Sequence, residues 1–230
     1  MKGLVLSSGG VDSTTCLGIA VNKHGVENVS AVSIFYGQKH KKELEQAKKI
    51  AQHFGVKHYV LDLSEIFKSS NCALLLSSTQ SVSHKSYAEQ IAEDGKVNTY
   101  VPFRNGLMLS SVASLAMSIY PDDEIEIFIG AHADDATGNA YADCSMEFVN
   151  AISKAINIGT YQKVNIVAPL VNKNKTQVVE TGLRLNVPYE LTWSCYEGGD
   201  KPCGVCATCR DRAVAFSENG VIDPAIKYFF

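Results

Sequence analysis

KGLVLSSGGVDS, residues 2–13, is the stretch from which the rest of the chain is read. Its apolar half is short and stops at Ser8-Gly9-Gly10, the pattern of a buried strand closing in a tight turn. Asp12 and Ser13 are N-cap types for a helix over residues 14–23, which carries Leu17, Ile19, Ala20 and Val21. A glycine pair between strand and helix lets the backbone turn sharply and leaves N–H groups facing outward, at the positive end of the helix. Ser8 and Ser13 add hydroxyl donors, so phosphate oxygens fit here. The loop has no GxxxxGK[ST] pattern and brings no lysine of its own; Asp12 stands inside it instead. The plainer alternative is a Gly-Gly turn with a helix cap.

Outward from this loop, strand and helix patterns alternate. Residues 29–35 are β-branched and apolar, and residues 39–55 place Leu44, Ala47, Ile50, Ala51 and Phe54 at helical spacing. Residues 56–63, 124–129 and 164–168 read as further strands, and 104–120, 146–158 and 175–185 as helices. The order implies a Rossmann-like α/β fold, a parallel five-stranded sheet with helices on both faces. Residues 64–99 break the rhythm with a polar, Ser-rich stretch, either a lid or a disordered insertion. The division expected is an α/β domain over residues 1–190 and a helical cysteine-rich tail over 191–230.

The chain has 230 residues and a net charge of −3, with only four arginines, so a small-molecule substrate fits better than a long polyanion and no stable nucleic-acid binding is expected. No apolar run reaches the roughly 18–20 residues that a membrane helix needs. The expected location is the cytoplasm.

Four of the seven cysteines, Cys195, Cys203, Cys206 and Cys209, fall within fifteen residues. In a reducing compartment that clustering reads as metal ligands, with one structural zinc per chain as the leading assignment. Iron–sulfur ligation and reduced thiols are the alternatives.

The SGGVDS loop is similar to the PP-loop of the ATP pyrophosphatase superfamily, whose members split ATP between its α- and β-phosphates. Taken with FYGQKH (35–40), VPFRN (101–105), GAHADD (130–135), YADC (141–144), KTQVVETGLRLNVP (175–188) and TWSCYEGGDKPCGVCATCRDRAVAF (192–216), the chain resembles the QueC family of 7-cyano-7-deazaguanine synthases over nearly its whole length. The resemblance implies an adenine nucleotide α-hydrolase-like fold, a homodimer, and a reaction using ATP, Mg²⁺, ammonia and 7-carboxy-7-deazaguanine. The acid is adenylated, ammonia gives the amide, and a second adenylation gives the nitrile. The family more often has Gly where Phe103 stands and Pro where Ala142 stands, and its commonest form is shorter around residues 136–140.

On these grounds ATP is expected on Leu6, Ser7, Ser8, Gly9, Gly10, Val11, Asp12, Ser13, Thr14, Gly37 and Gly130, with Asp12, Ser13, Arg104 and Lys175 as catalytic residues. Arg104, Asn105, His132, Asp134, Asp135, Tyr141 and Asp143 are the expected substrate contacts. Asp134, Asp135 and Asp143 suit either a guanine-like N–H edge or Mg²⁺, with turn chemistry and helix capping as the competing role. Arg104 fits a phosphate or a carboxylate, against a surface ion pair. Lys175 fits ATP phosphate, against a solvated position. Cys144 reads as a packed thiol, and Lys39–Lys42 as a solvated helix face because Glu43 and Glu45 follow. The aromatic end, Tyr228-Phe229-Phe230, suits burial against this chain or a partner. Two other classes compete: a tRNA-modifying ligase or thiolase of the PP-loop type, and a non-catalytic zinc-ribbon nucleic-acid binder.

Overall fold

The computed structural model describes residues 1–136 and 141–226, with the backbone alone for Tyr87, Ala88, Asp135 and Ala136. The Asp135 side chain, residues 137–140 and the Tyr228-Phe229-Phe230 end therefore lie outside the described residues.

The elements in chain order are β1 (Lys2–Leu6), α1 (Val11–His24), β2 (Val29–Phe35), α2 (Lys42–Phe54), β3 (Lys57–Asp62), α3 (Tyr87–Asp94), α4 (Arg104–Ile119), β4 (Ile125–Phe128), α5 (Ala133–Ala136), α6 (Met146–Gly159), β5 (Val164–Val167), α7 (Lys175–Arg184) and α8 (Ala207–Glu218). The strands form one parallel sheet in the order β3-β2-β1-β4-β5. β1 is central, with Leu4 opposite Ser30 on β2 and Ile127 on β4.

Side chains alternate across a strand, so neighbours on β1 serve two cores. Leu4 packs with Leu109, Val112 and Ala116 of α4 and with Ile156 of α6. Val5 packs with Leu17 of α1, Ile50 of α2, Val179 of α7 and Phe216 of α8. Coverage of both faces explains why the sequence of β2 is apolar without alternation. Each such fully buried Leu or Ile contributes about 1.5–3 kcal/mol.

The chain order reverses between β1 and β4, which flank each other while their crossovers run to opposite sides of the sheet. The carboxyl ends of these two strands open a crevice, the usual ligand position in such sheets.

Two local expectations change. Helix α1 begins at Val11 with Gly10 as its N-cap residue, not at Asp12 or Ser13. Those side chains are occupied elsewhere: Ser13 Oγ accepts from the Ser8 N–H (3.1 Å), and Asp12 pairs with Lys175. The Ser-rich segment 64–99 contains α3, started by a capping box in which Ser86 Oγ accepts from Glu89 N and the Glu89 carboxylate accepts from Ser86 N. It also buries Phe67, Leu74, Leu75 and Val97 against the α4 side of the sheet.

The tail is tied to the α/β layer. Phe216 of α8 lies edge-on to the buried Tyr189 ring at 5.3 Å. Arg212, 5% exposed, makes a two-pronged pair with Asp223 (Nε–Oδ2 2.6 Å, Nη2–Oδ1 2.8 Å) and donates to Thr192 Oγ1, Ser194 Oγ and the Tyr189 carbonyl.

Candidate active site

The loop after β1 holds its shape through its own hydroxyls. Ser8 Oγ and Ser13 Oγ lie 3.0 Å apart, Gly10 N donates to Ser8 Oγ, and Thr14 Oγ1 donates to the Gly10 carbonyl at 2.6 Å. Gly9 has φ +84°, and a Cβ there would stand 2.3 Å from the Glu43 carbonyl oxygen and 2.8 Å from Ala47 N. Only glycine lets the loop lie this close to α2 in that conformation. Gly130, at the end of β4, approaches the other side: a Cβ would meet Asp12 C and Ser13 N at 3.0 Å.

These elements line a cleft of about 680 Å³. Leu6, Ser7, Ser8, Gly10, Val11, Asp12, Ser13 and Gly130 form one end with His132, Asp134 and Lys175. Tyr36, Glu43, Arg104, Asn105, Tyr141 and Tyr196 form the other. Gly9 and Thr14 lie behind the loop surface, as the backbone contacts above require. Gly37 is apart from this cleft and lines a smaller recess with Phe35, Ser64 and Phe67.

Lys175 supplies the cation that the loop sequence lacks. It is the first residue of α7, which is started by an Asn174–Gln177 capping box. Its backbone N–H donates to Asp134 Oδ2 at 2.7 Å. Its Nζ sits 2.7 Å from both carboxylate oxygens of Asp12 and 3.5 Å from His132 Nε2. Burial works to raise the Asp12 carboxyl, but the charges of Lys175 and His132 and the Lys175 hydrogen bond outweigh it and hold Asp12 below the usual carboxylate range.

At the other end, Arg104 lies over the Tyr36 ring, 5.2 Å from its centroid, and donates Nη1 to the Tyr36 hydroxyl at 3.3 Å. Among the described residues it has no carboxylate partner within ion-pair distance. Phe103, just before it, has φ +51°, a left-handed conformation natural to glycine, the residue that the resemblance leads one to expect there. Its N–H is held by the Tyr100 hydroxyl at 3.0 Å, and its ring lies edge-on to Phe148.

Asp143 does not line the cleft. It is 5% exposed, and its Oδ2 accepts from Asn105 N at 2.9 Å in the first turn of α4. The carboxylate satisfies a free helix N–H and complements the helix dipole, so it positions Arg104 and Asn105 from behind. Asn105 Nδ2 in turn donates to the Asp143 carbonyl and lies 3.2 Å from Cys144 Sγ.

Several lining groups were not singled out in the sequence. Tyr36, Trp193, Tyr196 and Asp211 lie inside the quoted motifs, which was the available signal. Glu43 lies in a stretch that looked solvated. Asp211 projects from α8 across the cleft, and burial raises its carboxyl, with Lys175 and His132 opposing and Asp134 adding to the rise.

The four Sγ atoms of Cys195, Cys203, Cys206 and Cys209 lie within 4.8 Å of one another, a group able to hold a metal ion. Cys195, Cys206 and Cys209 are buried. Cys203 N donates to Cys195 Sγ and Cys206 N to Cys203 Sγ, both at 3.3 Å, the pattern of a knuckle that favours thiolates. Trp193 N donates to the Gly9 carbonyl at 2.9 Å, so the approach to this cluster is bonded to the loop after β1.

A parallel sheet in this order, with a serine- and glycine-lined loop at the carboxyl end of its central strand, defines a PP-loop α/β protein. A solved NMN synthetase from Francisella tularensis shares the fold, with a TM-score of 0.51 and 14% identity, covering 96% of this chain and 78% of that one. Residues 2–220 match the family described as queuosine biosynthesis protein QueC, and the chain belongs to that family. The 7-cyano-7-deazaguanine synthase of Archaeoglobus fulgidus is 40% identical over 227 residues, 98% of this chain and 90% of that protein. That of Caldicellulosiruptor saccharolyticus is 42% identical over 224 residues, 97% and 94% of the two chains. Among the described residues no helix is long and apolar enough to cross a membrane.

Proposed function

We propose that the protein is a 7-cyano-7-deazaguanine synthase, which uses ATP to convert 7-carboxy-7-deazaguanine and ammonia into the nitrile. The observation that carries the mechanism is the single cleft with the Ser8–Ser13 loop and the Asp12–Lys175 pair at one end and Arg104, without a carboxylate partner, at the other. The loop N–H groups and the N-terminus of α1 receive the pyrophosphate, and Lys175 meets the negative charge that grows on it as the α,β-bond breaks. Asp12 holds Lys175 in place through both carboxylate oxygens. Leu6, Ser7, Val11 and Gly130 surround the remainder of the nucleotide.

Arg104 receives the substrate carboxylate, and Asn105 and Tyr141, at the same end, contribute polar contacts around the base, with His132 and Asp134 toward the loop end. Adenylation turns a poor oxygen leaving group into AMP, once for the amide and once for the nitrile. Mg²⁺ would arrive with ATP, keeping most of its ligands as water and phosphate and using a cleft carboxylate such as Asp134. The same reading takes the protein as a cytoplasmic homodimer. The test is incubation of the protein with the acid, ATP, Mg²⁺ and ammonium. AMP, pyrophosphate and the nitrile are the expected products; their absence from folded, metal-loaded protein overturns the reading.

We assign the cysteine cluster to one zinc ion. Zinc–sulfur bonds of about 2.3 Å in a tetrahedron place sulfurs about 3.8 Å apart. Cys203 Sγ and Cys209 Sγ are 4.0 Å apart, which suits one ion better than thiolates spread over separate irons. Four protein ligands leave no open position, so the ion would brace the tail and take no part in the chemistry. Elemental analysis should find about one zinc per chain, and Cys206→Ser should lose most of it; unchanged metal content in that variant contradicts the assignment.

A further inference from the structure

The reaction proposed above, on which this inference rests, needs a nitrogen nucleophile, and near neutral pH ammonia is present mainly as ammonium. Some group must hold that cation and remove a proton before the nitrogen lone pair can attack. The Lys175 end of the cleft is unsuited: Asp12 is engaged by the Lys175 ammonium at 2.7 Å, Asp134 accepts from the Lys175 N–H at 2.7 Å, and Asp211 already faces the charge of Lys175.

We propose that Glu43 forms the ammonium subsite and acts as the base that releases ammonia onto the adenylated carboxyl carbon. Glu43 stands in the first turn of α2, half-buried, and lines the same cleft as Arg104 and Tyr36. Among the described residues its carboxylate makes no hydrogen bond or ion pair, although the cleft around it holds several donors. The α2 turn that carries it is fixed: the Glu43 carbonyl backs directly onto Gly9, so the side chain is aimed from a rigid point beside the loop that binds the leaving pyrophosphate.

The surroundings suit a small cation that must later lose a proton. Burial pushes the Glu43 carboxyl up to about 7, and the Arg104 guanidinium works in the opposite direction. Tyr36, from the segment after β2, faces both, and burial raises its phenol well above the ordinary range, so it stays protonated and able to donate. His40 lies on the same side, but its Nε2–H is spent on the Tyr196 carbonyl and burial lowers it, so it remains neutral. Lys42 points away, over the Trp193 ring at 4.4 Å and bonded to the Gly199 carbonyl. Glu43 is thus the carboxylate at this end of the cleft left free to meet ammonium.

Ammonium gives one proton to the Glu43 carboxylate. The ammonia lone pair then forms the C–N bond at the acyl carbon, and the C–O bond to AMP breaks with its electron pair leaving on AMP. The attached nitrogen loses a second proton to solvent, and Glu43 returns its own proton to solvent before the next turnover.

Glu43→Gln separates the two halves of the reaction. The acid-dependent exchange of pyrophosphate into ATP needs no ammonia and should stay within about threefold of the unsubstituted enzyme. Formation of the amide from ammonium chloride, read as kcat/KM for ammonium, should fall by about 100-fold or more. The unsubstituted enzyme should also lose ammonium-dependent rate below about pH 7, where Glu43 becomes protonated. The variant should retain only the pH dependence of free ammonia. Amide formation unchanged in Glu43→Gln, or lost only in parallel with exchange, overturns the assignment. Absence of exchange in the unsubstituted enzyme overturns the adenylating reading and this assignment with it, a result the variant alone cannot mimic.

Discussion

Lys175→Ala is expected to lower ATP cleavage by about 100- to 1,000-fold, the usual loss when one preorganised donor to a developing oxyanion is removed. Lys175 is the cation that the loop after β1 lacks in its own sequence, carried there by the first residue of α7 and clamped by both oxygens of Asp12. Its removal does two things. It withdraws the positive charge from the departing pyrophosphate, and it leaves the Asp12 carboxylate unbalanced beside the same phosphates. With Lys175 gone, burial still raises the Asp12 carboxyl while the charge and hydrogen bond that lowered it are lost, so its negative charge becomes costly to keep beside the phosphates.

Lys175→Arg should rescue little, since a planar fork does not occupy the site of a point charge seated between two carboxylate oxygens. Asp12→Asn with Lys175→Ala should cost less than the sum of the single losses, because the two act as one unit. Pyrophosphate exchange measured beside far-ultraviolet circular dichroism checks this. Near-normal exchange in folded Lys175→Ala removes the residue from the mechanism.

The second large effect falls on stability. Arg212→Ala should destabilise the protein by about 3–5 kcal/mol, because it strands Asp223, itself 6% exposed, as a buried charge without its partner. For a chain of this size that is a fall in Tm of about 6–20 °C. The loss reaches further than one ion pair: Arg212 also ties Thr192, Ser194 and the Tyr189 carbonyl, the segment leading into the cysteine cluster. Thermal unfolding of Arg212→Ala, Asp223→Ala and the double variant tests this. The double variant should be more stable than the sum of the single losses predicts. A single-variant shift of only a degree or two contradicts the role given to the pair.

The sheet was legible because its inner strands β1, β2 and β4 are compact, largely buried apolar runs, whereas the exposed edge strand β3 showed mainly through its place in the alternation of strands and helices. The loop was legible because the glycines and hydroxyls that shape it are contiguous. The cysteine cluster was legible for the same reason: its residues are few, distinctive and close together. What failed to show in the sequence depends on distance along the chain. The Asp12–Lys175 pair spans 163 positions, and Lys175 by itself resembles any helix-starting lysine. Asp143 resembled a ligand-reading acid because nothing in YADC reveals that a helix N-terminus lies in front of it. Glu43 and Glu45 are equivalent in the sequence, two acids two positions apart; only the docking of α2 against Gly9 decides that one enters the cleft and the other faces water. Helix α3 was missed because its signal is a capping box within a polar, low-complexity stretch, with little apolar periodicity.

The hydrogen bond from Trp193 to Gly9 has a consequence for synthesis. During synthesis β1 and its loop emerge well ahead of the groups that fix this loop: Lys175 on α7, Trp193 in the tail, and Arg212 behind it. Domains form vectorially during translation, so the sheet can assemble while its loop is still without its late-arriving partners. Competence to hold a nucleotide therefore waits until these residues have been made, and a chain cut ahead of Trp193 would lack both the bond to Gly9 and the Phe216 contact with the core beneath β1.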